Sequence, residues 1–483
     1  MNLLQHEKEK GVYVSVKWFI HVVITIAFTI SVSVLLNKTS NSNWTSTISI
    51  IVVIMLCYQT ISLVKSGKRY FSFEIWFILM SYLFMFGQVI LDGLFGISQI
   101  EALGYYRAVI DSRYDSTTMF HASVFILLCI QWIFLAFVFR KNKEIEISEK
   151  YDPAVFSAAI PLIVIGLPCH ILYSIQMIIM AQTVGSYNAI LDQTGLIDDF
   201  ANFFIYGLIC LIFSNKLSRN KIKTILILVT VYLVVIMVLT GDRRYQIVSI
   251  IVLFLAYLKC YNVKIGIKFV GLAVVGYLFL SLFYVLREIR EDSLVSIGTF
   301  LSTYGEMIIG THTSILTQTM YEFGGSFYTV CLAVKYVPSI IGYKYGLTVL
   351  SGIISIIPLG FMYQNSNIFQ NGRLAAQLMQ VGVTTVGGSV YADLYGNFGF
   401  VFGIVASAIL GIILFSVFNK SGYSKHGVSF ENARYYILFY ALIHLARASF
   451  TEVIRTAAWG LIILYIAYYL KTRRSNEAII KQE

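Results

Sequence analysis

The chain has 483 residues, of which 58% are hydrophobic and 13% charged, whereas soluble domains carry roughly 45–50% apolar and about 25% charged residues. That balance excludes a soluble globular enzyme and, with it, the disordered and fibrous classes. With 33 Tyr, 35 Phe and 5 Trp but only 5 Pro, and apolar runs recurring at about the 20 residues a bilayer crossing needs, the sequence reads as an all-α polytopic membrane protein.

The first apolar run, about Val14 to Leu36, follows Lys8 and Lys10 and has Lys17 near its start. It is longer than a signal-peptide core and lacks an A-x-A-like cleavage site, so it is expected to remain as an anchor. Further spans are expected near 44–64, 71–91, 117–139, 154–180, 201–214, 224–239, 245–258, 269–286, 396–418, 434–449 and 456–470, which makes about twelve helices. Between them, roughly from Arg287 to Asn397, the chain runs without a clear span, far beyond ordinary loop lengths. Long ordered loops usually carry function. Its stretch Leu347 to Phe361, interrupted by Pro358, is too short for a span and is expected to lie in the interface or to re-enter. Two extra crossings here would give fourteen helices with the same charge pattern. The chain thus divides into 1–286, a large extracytoplasmic loop 287–395 and 396–483 with a cytoplasmic tail. No internal repeat is evident, which argues against inverted-repeat transporters.

The net charge of +11 would fit a nucleic-acid binder only if the basic residues formed one stripe. They do not. With both termini cytoplasmic, the inner segments collect 24 of the 36 Lys and Arg, leaving 12 basic against 15 acidic residues outside, as the positive-inside rule requires. Topology accounts for the excess, and no nucleic-acid partner is expected. The six cysteines, at 57, 129, 169, 210, 260 and 331, are scattered singly without metal or redox spacing and read as packing residues.

Arginines left on the outer side run against the local rule and are therefore informative: Arg107, Arg113, Arg243, Arg244, Arg287, Arg290, Arg373, Arg447 and Arg455. Arg243 and Arg244 lie in the turn Thr240-Gly-Asp-Arg-Arg-Tyr-Gln246, where two guanidinium groups would sit near the outer headgroup level. The fork of a guanidinium suits phosphate oxygens and keeps its charge; snorkelling anchors paired with Asp242 are the bland alternative. In Arg287-Glu-Ile-Arg290 the arginines are three residues apart and share one helical face. Arg373 stands in a polar stretch, where solvation is an equal reading, and pairing within the last outer turn is the expected role of Arg447, Glu452 and Arg455. Asp242, Glu306, Glu322, Asp393 and Glu452 are the outer carboxylates able to act as a base, with His312 in the loop and His444 in a late span as further candidates. Gly399, Gly403, Ser407 and Gly411, at four-residue steps, make a small-residue face expected to pack against another helix. No GxxxxGK[ST], GxGxxG or HExxH occurs in the sequence, so ATP-driven transport and nucleotide-sugar chemistry lose ground.

Two stretches resemble the O-antigen polymerases, or oligosaccharide repeat-unit polymerases of Wzy type. Leu239-Thr-Gly-Asp-Arg-Arg-Tyr-Gln-Ile-Val248 resembles the family's span-ending Gly-x-Arg turn, and Gly388 to Gly403, containing Tyr391, Asp393 and Asn397-Phe-Gly399, resembles its acidic, Asn-Phe-Gly pattern entering a late helix. About a dozen helices with one large outer loop also match. The resemblance implies a GT-C-like architecture in the bacterial cytoplasmic membrane, with the active site on the outer face. It implies an inverting, metal-independent transfer of glycan from polyprenyl diphosphate to a hydroxyl of an incoming lipid-linked repeat unit, with no cofactor. Flippase and chain-length regulator proteins are the implied partners. Arg244 and Arg290 with Asp393 as base would form the catalytic set; Arg243, Arg287, Arg373, His312 and Tyr391 would bind the substrate and its diphosphate. A ligase that moves a finished glycan once, and a flippase for the same lipid-linked sugars, are the rival readings.

Overall fold

A backbone inside hydrocarbon has no water to bond, so apolar runs of this length fold into helices that satisfy their own N–H and C=O groups. The structure, a computed structural model, describes residues 16–36, 44–97, 116–139, 146–183, 196–240, 244–263, 314–357, 365–382, 387–419 and 427–480, with positions 276–278, 281, 302, 304, 305 and 308. Among them there is no strand. The helices are α1 (Val16–Leu36), α2 (Trp44–Lys65), α3 (Phe73–Phe95), α4 (Ser116–Phe137), α5 (Pro153–Thr183), α6 (Leu196–Phe213), α7 (Arg219–Thr240) and α8 (Arg244–Cys260) in the first half. The second half holds five short ones, α9 (Ile315–Gly324), α10 (Phe327–Tyr336), α11 (Leu347–Ile354), α12 (Asn367–Gly372) and α13 (Leu374–Gly382), then α14 (Val390–Asn419), α15 (Val428–Ile443) and α16 (Phe450–Ile480).

Among the described residues seven helices are long and apolar enough to cross a membrane, α2, α3, α4, α5, α7, α14 and α16, with two shorter apolar helices in α1 and α8. Every span expected from the sequence coincides with a helix except 269–286, most of which lies outside the described residues. Helix ends follow local chemistry: Asp152 Oδ1 accepts from the backbone N–H of Ala154 and Val155 at 2.9 and 3.1 Å, with Pro153 opening α5.

The core lies between α3, α4, α14 and α15, where Phe73 stacks on Phe418 at 4.0 Å and Phe77, Phe125 and Phe134 are fully buried. Polar side chains inside it are paired across helices, as hydrocarbon surroundings demand: Gln59 donates to Gln131, and Gln131 to Thr25. At the end expected to be cytoplasmic, Lys68 and Glu74 form a buried ion pair at 2.6 Å with both side chains 0% exposed. One of the presumed loop cations is therefore a packed residue, its charge matched by Glu74.

The small-residue face holds in part. Gly403 and Gly411 bring α14 against α4, where an added Cβ would stand 2.9 Å from Phe125 Cζ and from Ile133 Cα respectively, and Ser407 is fully buried between them. Gly399 departs from the pattern: its φ of 71° and ψ of −165° break α14. A residue with a side chain is strained at that φ, and its Cβ would press on Tyr343 Oη at 2.9 Å.

The break has a partner. Gly396 and Asn397 carbonyls, freed from helix bonding, accept from the N–H groups of Lys344 and Tyr345 at 2.9 and 3.2 Å. Asn397 Oδ1 accepts from Gly346 N at 2.7 Å, while its Nδ2 donates to Thr348 Oγ1 and to Asp393 O at 2.6 and 2.7 Å. The Asn-Phe-Gly stretch is thus a socket that holds the chain entering α11. From there α11 packs on the first turn of α16: Ser351 Oγ meets Thr451 Oγ1 at 2.8 Å, and Ser355 Oγ donates to Thr451 O at 3.2 Å.

Candidate active site

A polar cavity opens at the end of the bundle where α7 meets α8, the end that the charge pattern reads as outer. Among the described residues its walls come from five helices. From α5 come His170, Tyr173 and Ser174, and from α6 Asp198 and Asn202. α7 supplies Leu233, Ile236 and Thr240. α8 adds Tyr245, Gln246 and Ser249, and α15 adds Tyr440.

The walls are held by hydrogen bonds within and between helices. Tyr440 Oη donates to Asn202 Oδ1 at 3.2 Å, and Asn202 Nδ2 to Asp198 O at 3.2 Å. Ser249 Oγ donates to Tyr245 O at 2.7 Å, and His170 Nδ1 lies 2.9 Å from Tyr232 Oη. Tyr245 Oη donates to Glu452 Oε1 on α16. His444 stands behind the cavity, with its ring 5.1 Å from that of Tyr245 and 5.4 Å edge-on to that of Tyr440. Arg455 pairs with Asp199 at 2.9 Å, so α16 is tied to both α8 and α6. Gln246 is 9% exposed, and its Oε1 has no hydrogen-bond partner among the described residues.

The described residues on either side of the arginine turn singled out in the sequence line this cavity. Thr240 ends α7, Arg244 opens α8, and the cavity is lined by Thr240 and by Tyr245 and Gln246, which follow Arg244 directly. The Arg244 side chain, like Arg243, Arg287, Arg290 and His312, lies outside the described residues.

The other expected site residues sit elsewhere. Asp393, in the first turn of α14, is 2% exposed, and its Oδ2 accepts from Phe450 N at 2.8 Å. That is the geometry of a cap on α16 supplied by a neighbouring helix, since the first N–H groups of a helix have no partner of their own. Tyr391 is fully buried and donates to Ser81 Oγ at 2.8 Å, which makes it a contact between α14 and α3. Arg373 is exposed at the junction of α12 and α13, its guanidinium 5.8 Å from the Phe369 ring centroid. None of the three lines the cavity.

In the last outer turn pairing is present, though with other elements. Glu452 and Arg455 bond to α8 and α6, and Arg447 lies 5.8 Å from the ring centroids of both Phe84 and Phe323. His170, Asp198, Asn202 and Gln246 are the cavity residues missed by sequence reasoning. Their one signal is a polar side chain inside or at the edge of an apolar run, which marks functional sites in membranes.

The model of one family, described as O-antigen polysaccharide polymerase Wzy, matches residues 18–476. The chain belongs to the Wzy O-antigen polymerase family. Nearly the whole of this Wzy-family chain is covered, so both the arginine turn and the late Asn-Phe-Gly helix fall inside the match. Membership makes it a multi-pass membrane protein that polymerises polysaccharide repeat units carried on lipid. Searches of curated proteins and of solved structures returned no match.

Proposed function

We propose that this polymerase transfers a growing glycan from polyprenyl diphosphate to a hydroxyl of a new lipid-linked repeat unit, at the outer face of the bacterial cytoplasmic membrane and with both termini inside. The observation that carries this reading is the polar cavity formed by α5, α6, α7, α8 and α15, whose wall includes Thr240 at the end of α7 and Tyr245 and Gln246 in the first turn of α8.

The reaction requires two things of the site. The acceptor oxygen attacks the anomeric carbon as the bond from that carbon to the diphosphate breaks, with inversion. The leaving diphosphate is an anion at headgroup depth, and Arg243 and Arg244 are its proposed ligands, because preorganised donors at a leaving group stabilise charge as it develops. Arg287 and Arg290 of the outer loop are proposed to join them. The acceptor hydroxyl gives up its proton to a carboxylate. Asp198 is supported for that role over Asp393, since Asp198 lines the cavity and Asp393 does not.

The test is reconstitution of the purified full chain in liposomes with the lipid-linked repeat unit that accumulates in cells lacking it, without nucleotide. Glycan length and released polyprenyl diphosphate are followed together. A ladder of products with matching diphosphate release is expected. A single transfer onto a different acceptor would make the chain a ligase, and lipid crossing between leaflets without glycosidic chemistry would make it a flippase.

A further inference from the structure

The segment that enters α11 holds a cation without a counter-charge. Lys344 is 7% exposed, and no hydrogen bond or ion pair reaches its ammonium among the described residues. Burial pushes its pKa below the usual lysine range, with no acidic neighbour to oppose the shift. A cation withdrawn from water costs free energy until an anion reaches it. Nor can the residue swing out freely, because Lys344 N donates to Gly396 O and Lys344 O accepts from Leu347 N, both at 2.9 Å.

A second cation belongs to the same junction. Arg373 stands between Gly372, where an added Cβ would lie 2.6 Å from Leu347 O, and Leu374, whose side chain fills the space left by the missing Cβ of Gly396. Leu347 and Gly396 are the two backbone partners of Lys344. Arg373 is exposed and makes no ion pair among the described residues, its guanidinium lying over the Phe369 ring.

The surface beside these cations is apolar. α11 turns its polar side chains inward, Thr348 to Asn397 and Ser351 to Thr451, and Ser355 just beyond its end also bonds to Thr451. Leu350, Ile353 and Ile357 face outward and are exposed, as are Ile340 and Ile368. A helix amphipathic in this sense is built to meet hydrocarbon rather than water. Two cations at the edge of such a face, with no acid beside Lys344, match the charge of a lipid headgroup phosphate.

We infer that this junction is a binding site for a lipid-borne phosphate, with Lys344 and Arg373 on the phosphate oxygens and the outward face of α11 against the hydrocarbon chain. The inference goes beyond the transfer reaction proposed above. None of these residues lines the cavity, and the site stands whether or not that reading does. Two sources carry this chemistry at headgroup depth: the polyprenyl diphosphate of a lipid-linked substrate, and the anionic headgroup of a bilayer phospholipid.

The experiment uses the purified full chain in dodecyl maltoside, free of phospholipid. The probes are geranylgeranyl diphosphate carrying a diazirine at the end of its chain and the matching prenol without the diphosphate. After illumination, labelled peptides are quantified by mass spectrometry, with the exposed face of α14 around Val401 and Val405 as the reference surface. The diphosphate probe is expected to label α11 about tenfold more than the prenol does, relative to that reference. Lys344→Met should lower the α11 labelling about tenfold, the value of one hydrogen bond to a charged group, while Lys344→Arg stays within about threefold of the parent. Thermal unfolding of Lys344→Met should be unchanged or raised, because an apolar side chain replaces an unpaired buried cation. A lowered melting temperature with unchanged labelling would make Lys344 structural and overturn the site, as would equal labelling of α11 by the prenol. Unlabelled phosphatidylglycerol displacing the probe as well as unlabelled geranylgeranyl diphosphate does would assign the site to bilayer phospholipid. Displacement by the diphosphate alone would assign it to the isoprenoid carrier. Labelling as expected in a chain that makes no polymer would overturn the polymerase reading alone. Where Lys344→Met fails to fold, Arg373→Gln, at an exposed position, and the comparison of the two probes on the parent chain decide the same question.

Discussion

Replacing Asp393 by Asn separates two roles that one carboxylate can play. In the structure Asp393 Oδ2 accepts from Phe450 N at 2.8 Å in a region where both residues are buried, at 2% and 8% exposure. Asn keeps an acceptor oxygen in the same place and loses only the charge at the α16 N-terminus, a loss of about 0.3–1 kcal/mol. Ala removes the acceptor and strands the buried N–H, which costs about 1–3 kcal/mol in addition. Thermal unfolding in detergent should therefore rank the parent and Asp393→Asn close together with Asp393→Ala clearly below, and polymer formation by Asp393→Asn should be close to that of the parent. A folded Asp393→Asn chain with the parent's melting behaviour and no product would refute the capping argument, because a group that only caps has no need of its charge or its proton. Asp198→Asn is the matching variant: it should fold normally and lose most turnover.

Arg244→Lys should lower polymer formation by tenfold or more with unchanged folding, since Lys keeps the charge but loses the two-pronged geometry; full activity would sink bidentate diphosphate recognition at the turn. Lys68→Met should cost about 3–5 kcal/mol by removing the cation bonded to the buried Glu74, and the double change Lys68→Met with Glu74→Leu should recover most of it, as read by thermal unfolding. Gly411→Leu should destabilise by about 1–3 kcal/mol through collision with Ile133 on α4. Val405→Leu, on the exposed side of the same helix at 53% exposure, should be near neutral in the same measurement.

The helices were legible because they are contiguous apolar runs, seven of them, among the described residues, long enough to cross a membrane. The start of α14 was placed late, at 396 instead of Val390, because Tyr391, Asp393 and Tyr395 interrupt the hydropathy. Asp393 enters the packed region only because Phe450 N meets it there, a partner 57 residues away that hydropathy does not report. Gly399 fitted a four-residue packing face by spacing, yet its positive φ comes from the junction with residues 343–348. α10 was missed because ten residues are too few for a span, although it packs against α4 and α14. At the cavity the arginine turn was legible as an exception to the charge rule. Asn202, Gln246 and Tyr440 were not, since each comes from a different helix and together they spell no motif.

The first turn of α16 receives Asp393 from α14, Ser351 and Ser355 from α11, and Tyr245 from α8 within three consecutive residues, Phe450, Thr451 and Glu452. A joint with so many struts has little independent freedom. α11 is thus linked through Thr451 and the adjacent Glu452 to Tyr245 in the cavity wall. The segment that precedes α14 and the wall of the cavity therefore share one support, and a substitution at Thr451 is expected to register at Tyr245.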